Sequence, residues 1–309
     1  MPECTLMTAT NTVATQPPAA VARRRLLQTM LAGAGALGLS RAGLAATIPP
    51  TQGLRPTKSR ARDQDILNFA LNFEYLGAEL YLRALTGQGL TIQDTGSDLG
   101  APGPTIGGRK VTFATKVVAD LVKELAQDEL GHVRAARLAT DKSIPKPTID
   151  LQNSFTTAAR LAGVIGPNET FDAFANEDNL LVAAFMLEDV CVTALKGAAP
   201  LLAEPAVIES AAGFLATEGY QAGAIRTLLV QKGLGALTVK LSDLRDTADG
   251  DGDTDQPVVN PDGSANIVPA DANGLAFSRT PGQVLAIAYL NPTAEKGGFF
   301  PDGVNGRIR

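Results

Sequence analysis

Aromatic residues are scarce in this chain of 309 residues, and tryptophan is absent. Phe, Tyr and Trp together make up 5% of the residues, whereas 45% are hydrophobic. Because Ala, Leu and Gly dominate the apolar set, the composition favours closely packed helices over an aromatic-rich β-sandwich. The charged fraction of 19% and the chain length are typical of a globular protein with one or two domains.

Long hydrophobic runs are also missing, and the N-terminal apolar stretch is short. A basic segment at residues 23–28 precedes an apolar, Gly-rich stretch at residues 29–39 and small residues at 42–46. This order resembles a twin-arginine export signal, with Arg23 and Arg24 as the pair. A membrane anchor is the alternative, but so short a run does not span a bilayer comfortably. We therefore predict a signal peptide at residues 1–46 and export to the periplasm or cell envelope.

Positive charge and cysteine are both depleted once that segment is removed. The remaining chain has 23 basic and 31 acidic residues, a net charge of about −8, and no basic run. This balance argues against nucleic acid or an anionic membrane as a partner, and we expect no stable membrane insertion after cleavage. Cys191 is then the only thiol, so the fold has no internal disulfide and depends on its core.

Apolar residues recur at helical spacing in four long segments, which predict an all-α protein. The predicted helices cover residues 63–86, 111–139, 171–197 and 205–232. They form a four-helix bundle over residues 63–232, preceded by a linker at 47–62. Short helices are predicted near 155–161 and 281–289, and the second of these opens with a capping box at Thr280. It lies in a loop-rich C-terminal extension, residues 233–309, packed on the bundle.

The single histidine has a glutamate three positions before it. The Glu129 and His132 side chains project from the same face of the second predicted helix. That face is the one that carries the apolar residues. Polar side chains on a buried face cost free energy unless they have partners. A shared metal ion would explain both, although a lone histidine has other uses.

Each of the other three helices contributes a glutamate. Glu74 lies beside the apolar face of the first helix and alone fits a boundary carboxylate, with the Tyr81 hydroxyl near the same azimuth. Glu188 interrupts an almost wholly apolar run, which favours an interior role, and Glu218 has Gln221 three positions later. Carboxylates and a Glu-x-x-His pair on four helices are the ligand set of dinuclear sites in such bundles.

Several motifs along these helices and the tail belong together. They are residues 72–76 with 78–81, 128–132, 188–190, 218–223, 267–271, 283–285 and 297–301. In these motifs the chain resembles ferritin-like domain proteins of the desiccation-related type. The resemblance covers nearly all of the chain after the signal. It implies the bundle fold and metal ligation by Glu74, Glu129, His132, Glu188 and Glu218.

Gln221 departs from the family pattern, which has a second histidine at this position. An amide cannot replace imidazole as a nitrogen ligand, but its oxygen can bind a hard cation or a water. The site is therefore expected to be asymmetric, mononuclear or empty. Iron or zinc is favoured beside His132, and manganese, magnesium or calcium at an all-oxygen position. Substoichiometric metal and weak or no ferroxidase-like turnover follow. Without a cation, some of the carboxylates must take up protons.

The acidic segment from Asp249 to Asp255 has a spacing similar to that of a calcium loop. It lacks the glycine at the sixth position and the glutamate at the twelfth, so a solvated turn is the favoured interpretation.

Three classes of function are consistent with these observations. The first is an exported metalloprotein with redox or peroxide chemistry at an iron or manganese site. The second is a non-catalytic stress protein that sequesters a metal, and the third is a scaffold with a degenerate, metal-free site. The metal, the substrate and a possible homo-oligomer stay open.

Overall fold

The computed structural model describes residues 58–250 and 254–309, which are mainly helical. The predicted signal peptide and residues 47–57 of the predicted linker lie outside the described residues. The helices are α1 Arg60–Thr86, α2 Ile92–Thr95, α3 Lys116–Ala139, α4 Asn153–Leu161, α5 Glu177–Ala198, α6 Pro205–Gln231, α7 Gly235–Asp249 and α8 Pro281–Ala288. Two short strands, β1 Thr105–Ile106 and β2 Ile149–Asp150, pair in parallel, and a 3-10 turn spans Ala199–Leu201.

The predicted all-α four-helix bundle is confirmed. Helix α1 packs along α3 and α5 packs along α6, while contacts between α1 and α5 and between α3 and α6 join the two pairs. Helix α5 also contacts α7 and α8, so it is covered on several sides. This explains its apolar run, in which every residue from Leu180 to Met186 is buried.

Helix α1 begins three residues earlier than predicted, and so the linker ends at Ser59. The Ser59 side chain accepts a hydrogen bond from the Arg62 amide and caps the helix. Asp63, which we expected at the start of the helix, is fully buried. Its carboxylate accepts from the amides of Ala203 at 3.0 Å and Glu204 at 2.8 Å. Asp63 therefore connects α1 to the turn that precedes α6.

Helices α3 and α5 begin five and six residues later than predicted, and polar side chains bind the free amide groups at both starts. The Asn176 side chain accepts from the Asn179 amide and starts α5. Glu177, the first residue of α5, accepts from the amides of Ala114 at 2.8 Å and Thr115 at 2.9 Å, just before α3. One carboxylate thus satisfies amide groups at the start of a different helix.

The C-terminal extension contains two helices rather than the single short one predicted. The capping box at Thr280 and Gln283 opens α8 as expected, whereas α7 was not predicted. Both helices contact α5, and they also contact each other.

A network of buried ion pairs spans the extension and the bundle, and its Arg245–Asp189 pair connects the two. The three arginines are 0–2% exposed, and they contact three aspartates that are at most 8% exposed. The pairs are Arg226–Asp189 at 2.8 Å, Arg245–Asp189 at 3.2 Å, Arg245–Asp255 at 2.5 Å, Arg279–Asp249 at 2.7 Å and Arg279–Asp255 at 2.9 Å. The prediction of a solvated turn is therefore wrong at both ends of the acidic segment, and its centre, residues 251–253, lies outside the described residues.

No helix in the described ranges combines the length and hydrophobicity that are needed to cross a bilayer.

Candidate metal centre

Four predicted ligands from three helices converge inside the bundle. Glu74 comes from α1, Glu129 and His132 from α3, and Glu218 from α6. Each offers one ligand atom, and these atoms all lie within 4.8 Å of one another. All four side chains are buried, with at most 7% of each residue exposed.

The His132 imidazole lies at the centre of the group. Its Nδ1 atom is 3.3 Å from Glu74 Oε2, 3.3 Å from Glu218 Oε1 and 3.9 Å from Glu129 Oε1. The Phe214 ring stacks on the imidazole, with ring centroids 4.5 Å apart. The stacked ring restricts the orientation of the imidazole and covers one of its faces.

Glu188 brings the fourth helix, α5, to the site. It is 3% exposed and lies outside the four-residue group, but it is close enough to Glu218 and Glu129 for their charges to interact. The Tyr81 hydroxyl donates a hydrogen bond to Glu188 Oε1. Tyr81 therefore points into the site, as its azimuth predicted, and its partner is Glu188.

Gln221 is buried one turn after Glu218. Its Nε2 donates to Asp128 Oδ2 at 3.2 Å, while its Oε1 has no hydrogen-bond partner among the described residues. Asp128, directly before Glu129, thus orients the amide. Gln221 offers an oxygen to this region where imidazole would offer a nitrogen.

Crowding of carboxylates in a dry interior changes their acidity. Burial raises the pKa of Glu74, Glu129 and Glu188, and the charge of Glu218 raises each of them further. Burial alone would lower the pKa of His132, but Glu218 and Glu74 outweigh it and raise that pKa to about 10. Without a bound metal ion, these carboxyl groups therefore hold protons more readily than usual, and the imidazole is positively charged.

Ligand atoms without partners show that these residues fit a cation. Within residues 58–250 and 254–309, Glu188 Oε2 and Glu218 Oε2 are buried and accept no hydrogen bond. Glu74 Oε2 and His132 Nδ1 are also buried without a well-formed hydrogen bond, and they have only ion-pair contacts of 3.3 Å, between each other and from Nδ1 to Glu218 Oε1. A buried polar atom without a partner costs about 1–3 kcal/mol. A metal ion bound by carboxylate oxygens and one imidazole nitrogen would satisfy such atoms together, and that donor set suits iron, manganese or zinc.

Space for one ligand depends on a glycine. A Cβ atom at Gly77, on α1, would lie 2.9 Å from Glu129 Cδ and closer still to Glu129 Oε2. Alanine at this position would push the Glu129 carboxylate away. Gly77 thus leaves room for Glu129 between α1 and α3.

An apolar cavity of about 290 Å³ adjoins the cluster, and Glu74, Glu129 and Glu188 lie in its wall. Cys191, the free cysteine among the described residues, also lines it. Burial and the nearby carboxylates raise the pKa of this thiol, so it stays protonated. The cavity therefore borders both the ligand carboxylates and a neutral thiol.

Comparison with known proteins identifies the family. The model of the ferritin-like domain matches residues 62–231, which include every predicted ligand. The chain belongs to the ferritin-like domain family. It is 31% identical to a desiccation-related protein of Craterostigma plantagineum, over 79% of this chain and 83% of that protein. It is 26% identical to a ferritin-like catalase of Nesocodon mauritianus, over 80% and 84% of the two chains. No solved structure matches significantly.

Three residues around this ferritin-like site were not predicted from the sequence. Phe214 lies four positions before Glu218, Gly77 lies three after Glu74, and Asp128 directly precedes Glu129. The helical spacing of Phe214 and Gly77 from predicted ligands was a usable signal, because such residues share a face. The contact between Asp128 and Gln221 joins two distant helices and left no local pattern.

Proposed function

We propose that this protein is an exported ferritin-like metalloprotein whose Glu/His cluster binds iron or manganese and supports redox or peroxide chemistry. The observation that carries the proposal is the set of buried ligand atoms without partners, on Glu74, His132, Glu188 and Glu218. In the metal-free state only the His132 imidazolium compensates them in part, so a bound metal ion that joins all four would be favourable.

Each side chain has a separate role in holding that ion. Glu74, Glu129, His132 and Glu218 are the ligands, and Glu188 completes the set from α5. Tyr81 keeps Glu188 in place through its hydroxyl, and Phe214 holds the imidazole plane. An iron or manganese ion would supply one-electron redox chemistry there. Since His132 is protonated in the metal-free state, metal binding must release its proton.

Two observations support different uses of the bound metal. The apolar cavity beside the ligands gives a small molecule room to approach, which favours chemistry, and one relative is called a ferritin-like catalase. The amide at Gln221 deprives a second position of its nitrogen ligand, which favours sequestration without turnover. The desiccation-related relative is consistent with this second role in stress.

The exported location belongs to the same proposal. It is supported by the twin-arginine pattern at residues 23–28 and the small residues at 42–46. Proteins that fold around a cofactor before crossing a membrane use that route.

The decisive experiment is anaerobic titration of metal-free protein with Fe²⁺ and with Mn²⁺, followed by peroxide consumption by the loaded protein. We expect saturable binding that Glu218→Gln weakens by at least about tenfold, the usual scale for losing a ligand or its support. Glu209→Gln is the matched control, because Glu209 is exposed on the same helix. Elemental analysis of protein from its native compartment identifies the physiological metal.

Each outcome separates the alternatives. Binding with peroxide consumption supports the redox role, and binding without consumption supports sequestration. No binding of either ion by the wild-type protein would leave the metal-free scaffold as the function.

A further inference from the structure

The cavity beside the metal centre is elongated along helix α1. Arg62, Ile66, Phe69, Phe73, Glu74 and Gly77 all line it, and their spacing places them along one face of that helix. From Arg62 to Glu74 the axial distance is about 18 Å, at about 1.5 Å per residue. The cavity therefore has two distinct ends.

One end holds carboxylates and the other holds a cation. Glu188 lines the cavity next to the metal-ligand cluster, while Leu201 and Leu202 line it where α5 ends, near Arg62. The Arg62 Nε atom is buried and has no hydrogen-bond partner in the described part of the chain. The rest of the lining is mainly apolar, with Met186, Ala194 and Ala211 among its residues. Arg279 also lines the cavity, but its guanidinium is already paired with Asp249 and Asp255, whereas Arg62 Nε has no partner among the described residues.

This distribution of groups matches an amphiphile. An apolar cavity of about 150 Å³ stays dry and binds benzene, so twice that volume accommodates about twelve carbons. An extended twelve-carbon chain is about 13 Å long, at about 1.2 Å per bond. Added to the reach of the arginine side chain, this length extends from Arg62 to the carboxylates.

We propose that the cavity binds an unbranched fatty carboxylate of about twelve carbons, with its head at Arg62 and its chain end beside Glu74 and Glu188. The guanidinium supplies the planar donors that a carboxylate accepts. Binding itself needs no metal. The further role of this ligand, as the substrate class of the metal centre, rests on the proposed function.

The test is calorimetric titration of the full, metal-free chain with octanoate, decanoate and dodecanoate below their micellar concentrations. Each buried methylene adds about fourfold to the affinity, so dodecanoate should bind at least about a hundredfold more tightly than octanoate. No saturable binding of dodecanoate, or affinities that do not depend on chain length, would overturn the proposal.

Two matched pairs of variants test the arginine end and the apolar part of the cavity. Arg62→Gln should weaken dodecanoate binding at least about tenfold and leave dodecanol binding unchanged, because only the carboxylate uses the charge. Arg60→Gln is the control, since Arg60 is exposed and pairs with Asp141 at the surface. Equal binding of dodecanoate by both variants excludes the carboxylate site.

Ala211→Leu should fill part of the cavity and weaken the binding of dodecanoate at least about tenfold. Ala212→Leu, at an exposed neighbouring position, should leave that affinity unchanged. Binding by Ala211→Leu at wild-type affinity places the ligand elsewhere and overturns the proposal. Thermal unfolding shows that each variant is folded. Iron titration of the same preparations is read separately, so loss of fatty carboxylate binding and loss of metal binding are distinguishable.

Discussion

At the scale of single residues, the absence of a side chain at Gly77 leaves the space that the Glu129 carboxylate occupies. Substituting Gly77→Ala introduces a Cβ atom against the Glu129 carboxylate. We expect this displacement to weaken Fe²⁺ and Mn²⁺ binding by about 10- to 100-fold, as for other residues that support ligands. Titration of the metal-free variant measures the loss.

The control for this change is Gly131→Ala on α3. Gly131 is exposed, and a Cβ atom there would meet no other described residue within 4 Å, apart from its chain neighbours and its own helix backbone. Alanine should stabilise the helix by about 0.5–1 kcal/mol and leave metal binding unchanged. Wild-type affinity in Gly77→Ala would show that Glu129 is not a ligand.

The amide at position 221 sets the number of metal positions. Gln221→His supplies the imidazole that the family pattern has, so we expect a second equivalent of Fe²⁺ to bind. Anaerobic titration counts the equivalents. Tyr220→His is the matched control, because Tyr220 is 82% exposed and a histidine at this position would point into solvent. Two equally tight sites in the wild-type protein would show that Gln221 is no handicap.

At the scale of helices, Glu177 joins three elements. It begins α5, accepts two amide groups before α3, and pairs with Lys232 after α6 at 2.6 Å. Burial opposes its charge, but the bonds from Lys232, Thr115 and Ala114 outweigh that and lower its pKa to about 2. The charged form is therefore the one that holds the helix ends together.

This carboxylate makes stability depend on pH. The pKa of Glu177 is lower in the folded than in the unfolded chain, so its contribution is complete above about pH 4.5 and is lost as the pH falls towards about 2. We expect Glu177→Gln to lower the Tm at pH 7 by about 3–10 °C and to have a much smaller effect near pH 2. Thermal unfolding followed by circular dichroism measures both, with the exposed Glu209→Gln as control. An equal deficit at both pH values would contradict the assignment.

At the scale of the whole molecule, the arginine–aspartate network fastens the extension to the bundle. Arg245 on α7 lies between Asp189 of α5 and Asp255, and its side chain is fully buried. Asp255 also pairs with Arg279, so removing its charge takes one of two carboxylate partners from each of two buried arginines.

We therefore expect Asp255→Asn to reduce the free energy of unfolding by about 3–5 kcal/mol. Denaturation in urea measures it, and Asp262→Asn, at an exposed position in the same extension, should change stability by less than about 0.5 kcal/mol. Because Val284 and Ile287 of α8 line the cavity, a loosened extension should also weaken dodecanoate binding. A stability close to that of the wild-type protein would show that the ion pairs of Asp255 contribute little to holding the extension.

The sequence by itself determined the features that depend on neighbours along the chain. Apolar spacing predicted the four bundle helices, and the capping box at Thr280 predicted the start of α8. Glu129 and His132 share a face because they are three residues apart, so their pairing needed no knowledge of the fold. The positions of Glu74, Glu188 and Glu218 on the other three helices made them candidate partners, and the family resemblance implied that they bind the metal.

Only the tertiary structure decided which distant groups meet. Asp63 and Glu177 were expected to begin or continue their own helices, but their carboxylates accept hydrogen bonds from the amides of other segments. The solvated turn at Asp249 became part of a buried ion network because Arg279, thirty residues later, packs against it. Such contacts depend on the packing of helices, and no local spacing encodes that packing. For the same reason, the space for Glu129 at Gly77 and the hydrogen bond from the Gln221 side-chain amide to Asp128 could be seen only in the folded bundle.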